Sequence, residues 1–163
     1  MRSIDSNLFV YDQELSSFVV EGVIKAPVES VFRAWTDEAA FLASYAPDRE
    51  ELKANIDLAI GGRYEWLWDG KVGSNDCQVL SFIPNRMLSF SWNAPPTQPE
   101  SRALRTWVVV EFSLTDEAGT LVRLTHLGFG EGERWQETRA YFEDQAWPHV
   151  LEQFRVNLET ASS

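Results

Sequence analysis

The chain has a single cysteine, Cys77, so no internal disulfide can form and a reducing compartment fits best. With only two histidines, at His126 and His149, there is no His-X-X-X-His or Cys/His spacing, and a zinc site is not expected. Positive charge is scarce: 14 Lys and Arg stand against 25 Asp and Glu, for a net charge of -11. That balance disfavours polyanionic partners, both nucleic acid and acidic membrane, and leaves no basic stripe to read a nucleic acid. Long apolar runs are missing too. No segment approaches the ~20 residues of a membrane span, and the N-terminus carries no apolar leader. A cytoplasmic protein is expected.

What is present is aromatic. Hydrophobic residues make up 44% and charged residues 24% of 163 residues, and aromatic residues 13%, including seven tryptophans. The length fits one domain with a substantial core. From Phe18 to Lys25 a β-branched run predicts a first strand, ended by Ala26-Pro27. Val28, Val31, Phe32 and Trp35 then recur at helical spacing, with Pro27 suited to the helix start. Asp37 is placed to cap a second short helix through Phe41, Leu42 and Tyr45, closed by Pro47.

Alternation takes over from Leu52. Leu52, Ala54, Ile56 and Leu58 form one face, and after the Gly61-Gly62 turn so do Tyr64, Trp66 and Trp68. A loop is expected around Asp69 to Asn75, then a strand from Gln78 to Ile83. After Pro84-Asn85, Leu88, Phe90 and Trp92 alternate with serines; Asn93 to Glu100, with three prolines, reads as loop. Val108, Val110, Phe112 and Leu114 share a face, as do Val122, Leu124 and His126. The short links favour antiparallel pairing. The closing segment carries Trp147, Leu151, Phe154 and Leu158 at helical spacing, after a helical stretch from Glu133 that includes Phe142. Pro148 interrupts it, so a kink or a restart is expected there. These elements make one α+β domain over residues 17–160, with about seven antiparallel strands around a long C-terminal helix. Residues 1–16 form an extension, whose Leu8 to Tyr11 patch suits an edge strand or, less well, an arm that leaves a homodimer open.

The ordered set of motifs resembles a known family. Lys25-Ala26-Pro27-Val28-Glu29-Ser30-Val31-Phe32 with Ala34-Trp35-Thr36-Asp37, then Gly61-Gly62-Arg63-Tyr64 and Pro84-Asn85-Arg86-Met87-Leu88, carry the first part. Ser91-Trp92, Gly119 to His126, and Trp147-Pro148-His149-Val150-Leu151 complete it. It is similar to the Aha1-like (activator of Hsp90 ATPase homologue) branch of the START-related SRPBCC helix-grip superfamily. That resemblance implies a curved antiparallel sheet wrapped around the C-terminal helix, with a cavity between them. It also implies apolar small molecules as ligands, with some superfamily members acting as cyclases or hydrolases. One stretch departs: the family's Trp-Trp-Gly-Pro is here Ser44-Tyr45-Ala46-Pro47, which puts a different rim on such a cavity.

On this reading the candidate ligand-binding residues are Tyr64, Trp66, Trp68, Phe90, Trp92, Val110, Phe112, Leu124, His126, Phe142, Trp147, Leu151 and Phe154. The competing reading is that these rings pack solid, since each buries about 150–250 Å². His126 is the inward-facing polar candidate, able to hold a ligand oxygen, serve as a base, or simply bond a neighbour. His149 is expected on the exposed side of the helix. Glu65 and Glu111 fall opposite the apolar faces, in solvent, and Cys77 falls opposite Gln78, Leu80 and Phe82, pointing outward. Ser81, Ser89 and Ser91 lack a nucleophile-elbow context, and Gly128 to Gly132 lacks the lysine of a phosphate cradle. Catalysis, a cofactor and a metal are therefore not expected. Binding of an apolar or aromatic small molecule leads, with a chaperone-linked interaction module or a His126-based cyclase or hydrolase as alternatives.

Overall fold

In a computed structural model that describes residues 16–162, strand β1 (Ser17–Ile24) leads into helix α1 (Val28–Thr36). The Leu8 to Tyr11 patch lies outside the described residues. Pro27 takes the position just before the helix, with φ -61° and ψ 146°, one residue earlier than expected. Val31, Phe32 and Trp35 bury the inner face of α1. Asp37 ends that helix and caps α2 (Glu38–Tyr45), its carboxylate accepting from the Ala40 N–H at 3.0 Å.

The strands follow as β2 (Leu52–Ile56), β3 (Tyr64–Trp68), β4 (Val72–Gly73), β5 (Val79–Ile83), β6 (Met87–Trp92), β7 (Thr106–Leu114) and β8 (Thr120–Leu127). Every pairing is antiparallel. A five-stranded sheet runs β1-β8-β7-β6-β5 and a three-stranded sheet runs β2-β3-β4. They are joined by an Arg63–Gln78 bridge and by the Tyr64 N–H donating to the Cys77 carbonyl at 2.8 Å. The expected single sheet is thus two joined sheets. The additional strand, β4, is a two-residue piece inside the segment read as loop. Gly73 is required there, because a Cβ would sit 1.8 Å from the Trp66 carbonyl oxygen.

Expected side-chain directions fail in two places, at the start of β5 and at Glu65. Cys77 is fully buried and so is Val79, whereas Gln78 and Leu80 are exposed. The register shifts between Val79 and Ser81, so one extra residue inverts the alternation along β5. Glu65 is buried as well, at 7% exposure. Its alternation was read correctly, but the loop before β5 covers that face and donates the Asp76 N–H to its carboxylate at 2.7 Å. Glu111 is exposed, as read.

The proline-rich link contains a short helix, α3 (Pro99–Ala103), with proline in its first turn. The C-terminal helical run is α4 (Glu133–Tyr141), a π-helical turn (Phe142–Ala146) and α5 (Trp147–Ser162). The Trp147 N–H reaches back five residues to the Phe142 carbonyl. This wider turn is where the expected break occurs: Pro148 has no N–H to continue the four-residue pattern, and a π-bulge reroutes the bonding beside it. Helix α5 buries Trp147, Val150, Leu151, Phe154 and Leu158 toward the sheets. The result is the helix-grip arrangement. Among the described residues, no helix is long and apolar enough to cross a membrane.

Candidate functional site

The middle of the space between sheet and helix is filled. Trp35, from α1, is fully buried and lies 4.9 Å from the Phe154 ring, edge to face. It also lies within 6.3 Å of the Trp66, Phe90 and Trp147 rings. Tyr64 stacks on Phe90 at 4.2 Å and donates its hydroxyl to the Trp35 carbonyl at 2.7 Å. Phe112 meets Phe32 edge to face at 5.4 Å. Val110 and Leu124 are fully buried in the same core. Tyr64, Phe90, Val110, Phe112, Leu124 and Phe154 are therefore buried core rings and aliphatics, set behind the groove wall and not among its lining residues. Leu151 borders a separate 240 Å³ cleft beside β1.

His126 belongs to this core, at 0% exposure. Its Nδ1 accepts from the Trp147 indole N–H at 2.9 Å, and its Nε2 lies 2.7 Å from Thr106 Oγ1. An indole nitrogen only donates, so Nδ1 must be bare and the proton sits on Nε2, donated to Thr106. Burial pushes the imidazole pKa down to about 3. Both ring nitrogens are occupied, and the ring is shut off from solvent. Neither a ligand anchor nor a general base is available at this position. The side chain instead ties β7 and β8 to the start of α5.

The open space lies at one end of the grip. A groove of about 390 Å³ runs between β3, the β6–α3 link and the π turn. Of the residues expected from the sequence it gathers Trp66, Trp68, Trp92, Phe142 and Trp147. Trp66 and Trp92 meet edge to face at 5.0 Å, and Trp92 lies 5.5 Å from Trp147. Trp68 is half-buried, with the Arg49 guanidinium 5.0 Å above its ring. The Trp66 indole N–H is buried and has no partner, a deficit worth about 1–3 kcal/mol.

Several wall residues were not foreseen. Tyr45 and Tyr141 line the groove, as do the exposed His149 and Gln145. Burial, and then the neighbouring Tyr141, raise the Tyr45 phenol pKa, so it remains a neutral donor. Tyr45 belongs to the stretch that departs from the family pattern, so that departure falls on the groove wall. Arg102 also borders the groove. Its Nη1 donates to the Ala94 carbonyl at 2.7 Å, and its Nη2 to the Gly73 carbonyl and Asn75 Oδ1 at 2.8 and 2.9 Å. Its partners are up to 29 residues away in the chain, so local periodicity carried no sign of it. None of the described lining residues is an aspartate or glutamate.

Cys77 offers no nucleophile. Burial pushes its thiol pKa up to about 11, partly opposed by Arg105, whose Nη1 is 3.3 Å from the sulfur. Among the described residues no cluster of three His, Cys, Asp or Glu side chains could hold a metal.

A sheet gripping a terminal helix, with an aromatic groove at one end, defines a helix-grip protein. The family model for activator of Hsp90 ATPase homolog 1-like proteins matches residues 25–159, and the chain belongs to that family. No curated protein matches the sequence. Among solved structures, a Mesorhizobium loti protein is 24% identical, with 88% of this chain and 97% of that one covered at a TM-score of 0.66. A Mycobacterium smegmatis protein is 15% identical, with 93% of each chain covered at a TM-score of 0.69. An HSP90 activator from Plasmodium falciparum is 20% identical, with 86% and 94% covered and a TM-score of 0.58. At these identities the likeness is one of fold.

Proposed function

We propose that this protein binds a small apolar or aromatic molecule in the groove between the three-stranded sheet and the C-terminal helix. One observation carries the reading. The centre is filled by packed rings, yet beside it a groove of about 390 Å³ stays open, its walls including Trp66, Trp68, Trp92 and Trp147. That volume falls in the range of small-molecule sites, about 300–1,000 Å³, which are apolar with a few placed polar groups. Here the polar groups are Tyr45, Tyr141, His149 and Arg102. The test is a thermal-shift panel of neutral aromatics, polycyclic compounds and lipids. A ligand at 100 times its dissociation constant should stabilise the protein by about 2.7 kcal/mol. Stabilisation by no member of the panel would refute the reading.

A chaperone-linked role is the second reading, motivated by the family and by the HSP90 activator among its structural likenesses. Stimulation of an Hsp90-type ATPase by the purified protein would support it; a flat rate would remove it.

A further inference from the structure

The groove wall carries no carboxylate where the rest of the molecule is acidic. The chain carries 25 Asp and Glu, yet none of them is among the described lining residues, whereas Arg102 is. Arg102 forms no ion pair among the described residues; the pairs that exist use other arginines. Arg105 beside it forms none either. Both guanidiniums instead converge on Asn75, Arg102 through the side-chain oxygen at 2.9 Å and Arg105 through the carbonyl at 2.9 Å.

Two adjoining, unneutralised guanidiniums repel each other and are costly to hold. In a chain this rich in carboxylates, neither guanidinium has an acidic partner within ion-pair distance among the described residues. Arg102 is also held still, its Nη1 and Nη2 anchored by Ala94, Gly73 and Asn75. A guanidinium has five N–H donors, and these three bonds leave the Nε hydrogen and one Nη1 hydrogen unused. Partial burial is the main influence lowering its pKa, and the neighbouring Arg105 also lowers it. Among the remaining walls, Trp66, Trp68, Trp92 and Trp147 present flat rings able to pack against another flat ring.

We infer that the groove selects a planar aromatic monoanion, its ring among the tryptophans and its carboxylate on Arg102. This rests on the small-molecule reading above and narrows it to one ligand class. The carboxylate would accept a charge-assisted hydrogen bond from one of the unused N–H groups of a guanidinium already held in place. The acidic surface opposes this only weakly at physiological salt, where fields are screened over about 8 Å.

The test compares 2-naphthoate with 2-naphthamide, matched in ring and size but differing in charge, by tryptophan-fluorescence titration at physiological salt. The acid should bind about tenfold or more tighter than the amide. In Arg102→Gln that preference should fall to within about twofold, with amide affinity retained as evidence of an intact groove. Octanoate should bind more weakly than 2-naphthoate; equal affinity would overturn the aromatic assignment. Equal affinity for acid and amide in the native protein would overturn the inference and leave the small-molecule reading standing. Binding of none of the three would overturn both. If Arg102→Gln fails to fold, the native-protein comparison of acid with amide decides alone.

Discussion

Acid should weaken this protein through His126, and the size of the effect follows from its burial. In the unfolded chain the imidazole has its ordinary pKa of about 6.5; in the fold burial holds it down to about 3. Between those values the unfolded state binds a proton that the native state refuses. Stability therefore rises with pH across this window, is fully present above pH 6.5, and is lost as pH falls. At about 1.36 kcal/mol per pH unit, moving from pH 7 to pH 4.5 should remove about 2.5 kcal/mol through this group alone. Urea unfolding at both pH values measures the total, to which exposed carboxylates also contribute. Comparison with His126→Asn isolates the histidine. Asparagine can still accept from Trp147 but does not titrate, so its pH dependence should be shallower by about 2.5 kcal/mol over the interval. Proton titration by NMR gives the direct check. Parallel pH profiles for the two proteins, or a His126 resonance titrating near 6.5 in the folded state, would refute the reasoning.

Trp147→Phe removes the donor to His126 Nδ1 and leaves that acceptor buried and bare; a loss of about 1–3 kcal/mol should appear in chemical denaturation, together with any cavity cost. Asp37→Ala removes the cap on α2 and should cost about 1 kcal/mol, with Asp37→Asn recovering most of it. Cys77, buried with its pKa near 11, should react with a disulfide reagent at neutral pH only on unfolding. Modification of the native protein at the rate of a free thiol would contradict that placement.

Local pattern carried much of the architecture. Helical spacing in Val31, Phe32 and Trp35, and period-two alternation along β8 and along β7 as far as Phe112, hold because each buries one continuous face. Such a face imposes its own geometric period on the chain. Leu114 at the end of β7 is exposed instead, and Ser89 on β6 is buried together with Leu88, Phe90 and Trp92. The break near Pro148 was legible for a similar reason, since a residue without an N–H must disturb the bonding in the interior of a helix. The misreadings have a different origin. The inverted direction of Cys77 comes from an irregularity in pairing between β5 and β6, and the burial of Glu65 comes from a loop folding over its strand. Neither event leaves a trace in the residue's immediate neighbours.

The site divides along the same line. That Trp66, Trp92 and Trp147 point into one shared interior follows from spacing, because the backbone geometry of strand and helix sets side-chain direction. Whether that interior is hollow does not follow from spacing, because it depends on the summed volume of rings from many elements. Trp35, Phe90 and Phe154 fill the centre, and a groove stays open at the end beside Tyr45 and Arg102. In the same way, a buried histidine on β8 was evident from alternation. Only the three-dimensional packing, by setting Thr106 and Trp147 against its two nitrogens, decided that it holds the fold together and has no nitrogen left for a ligand.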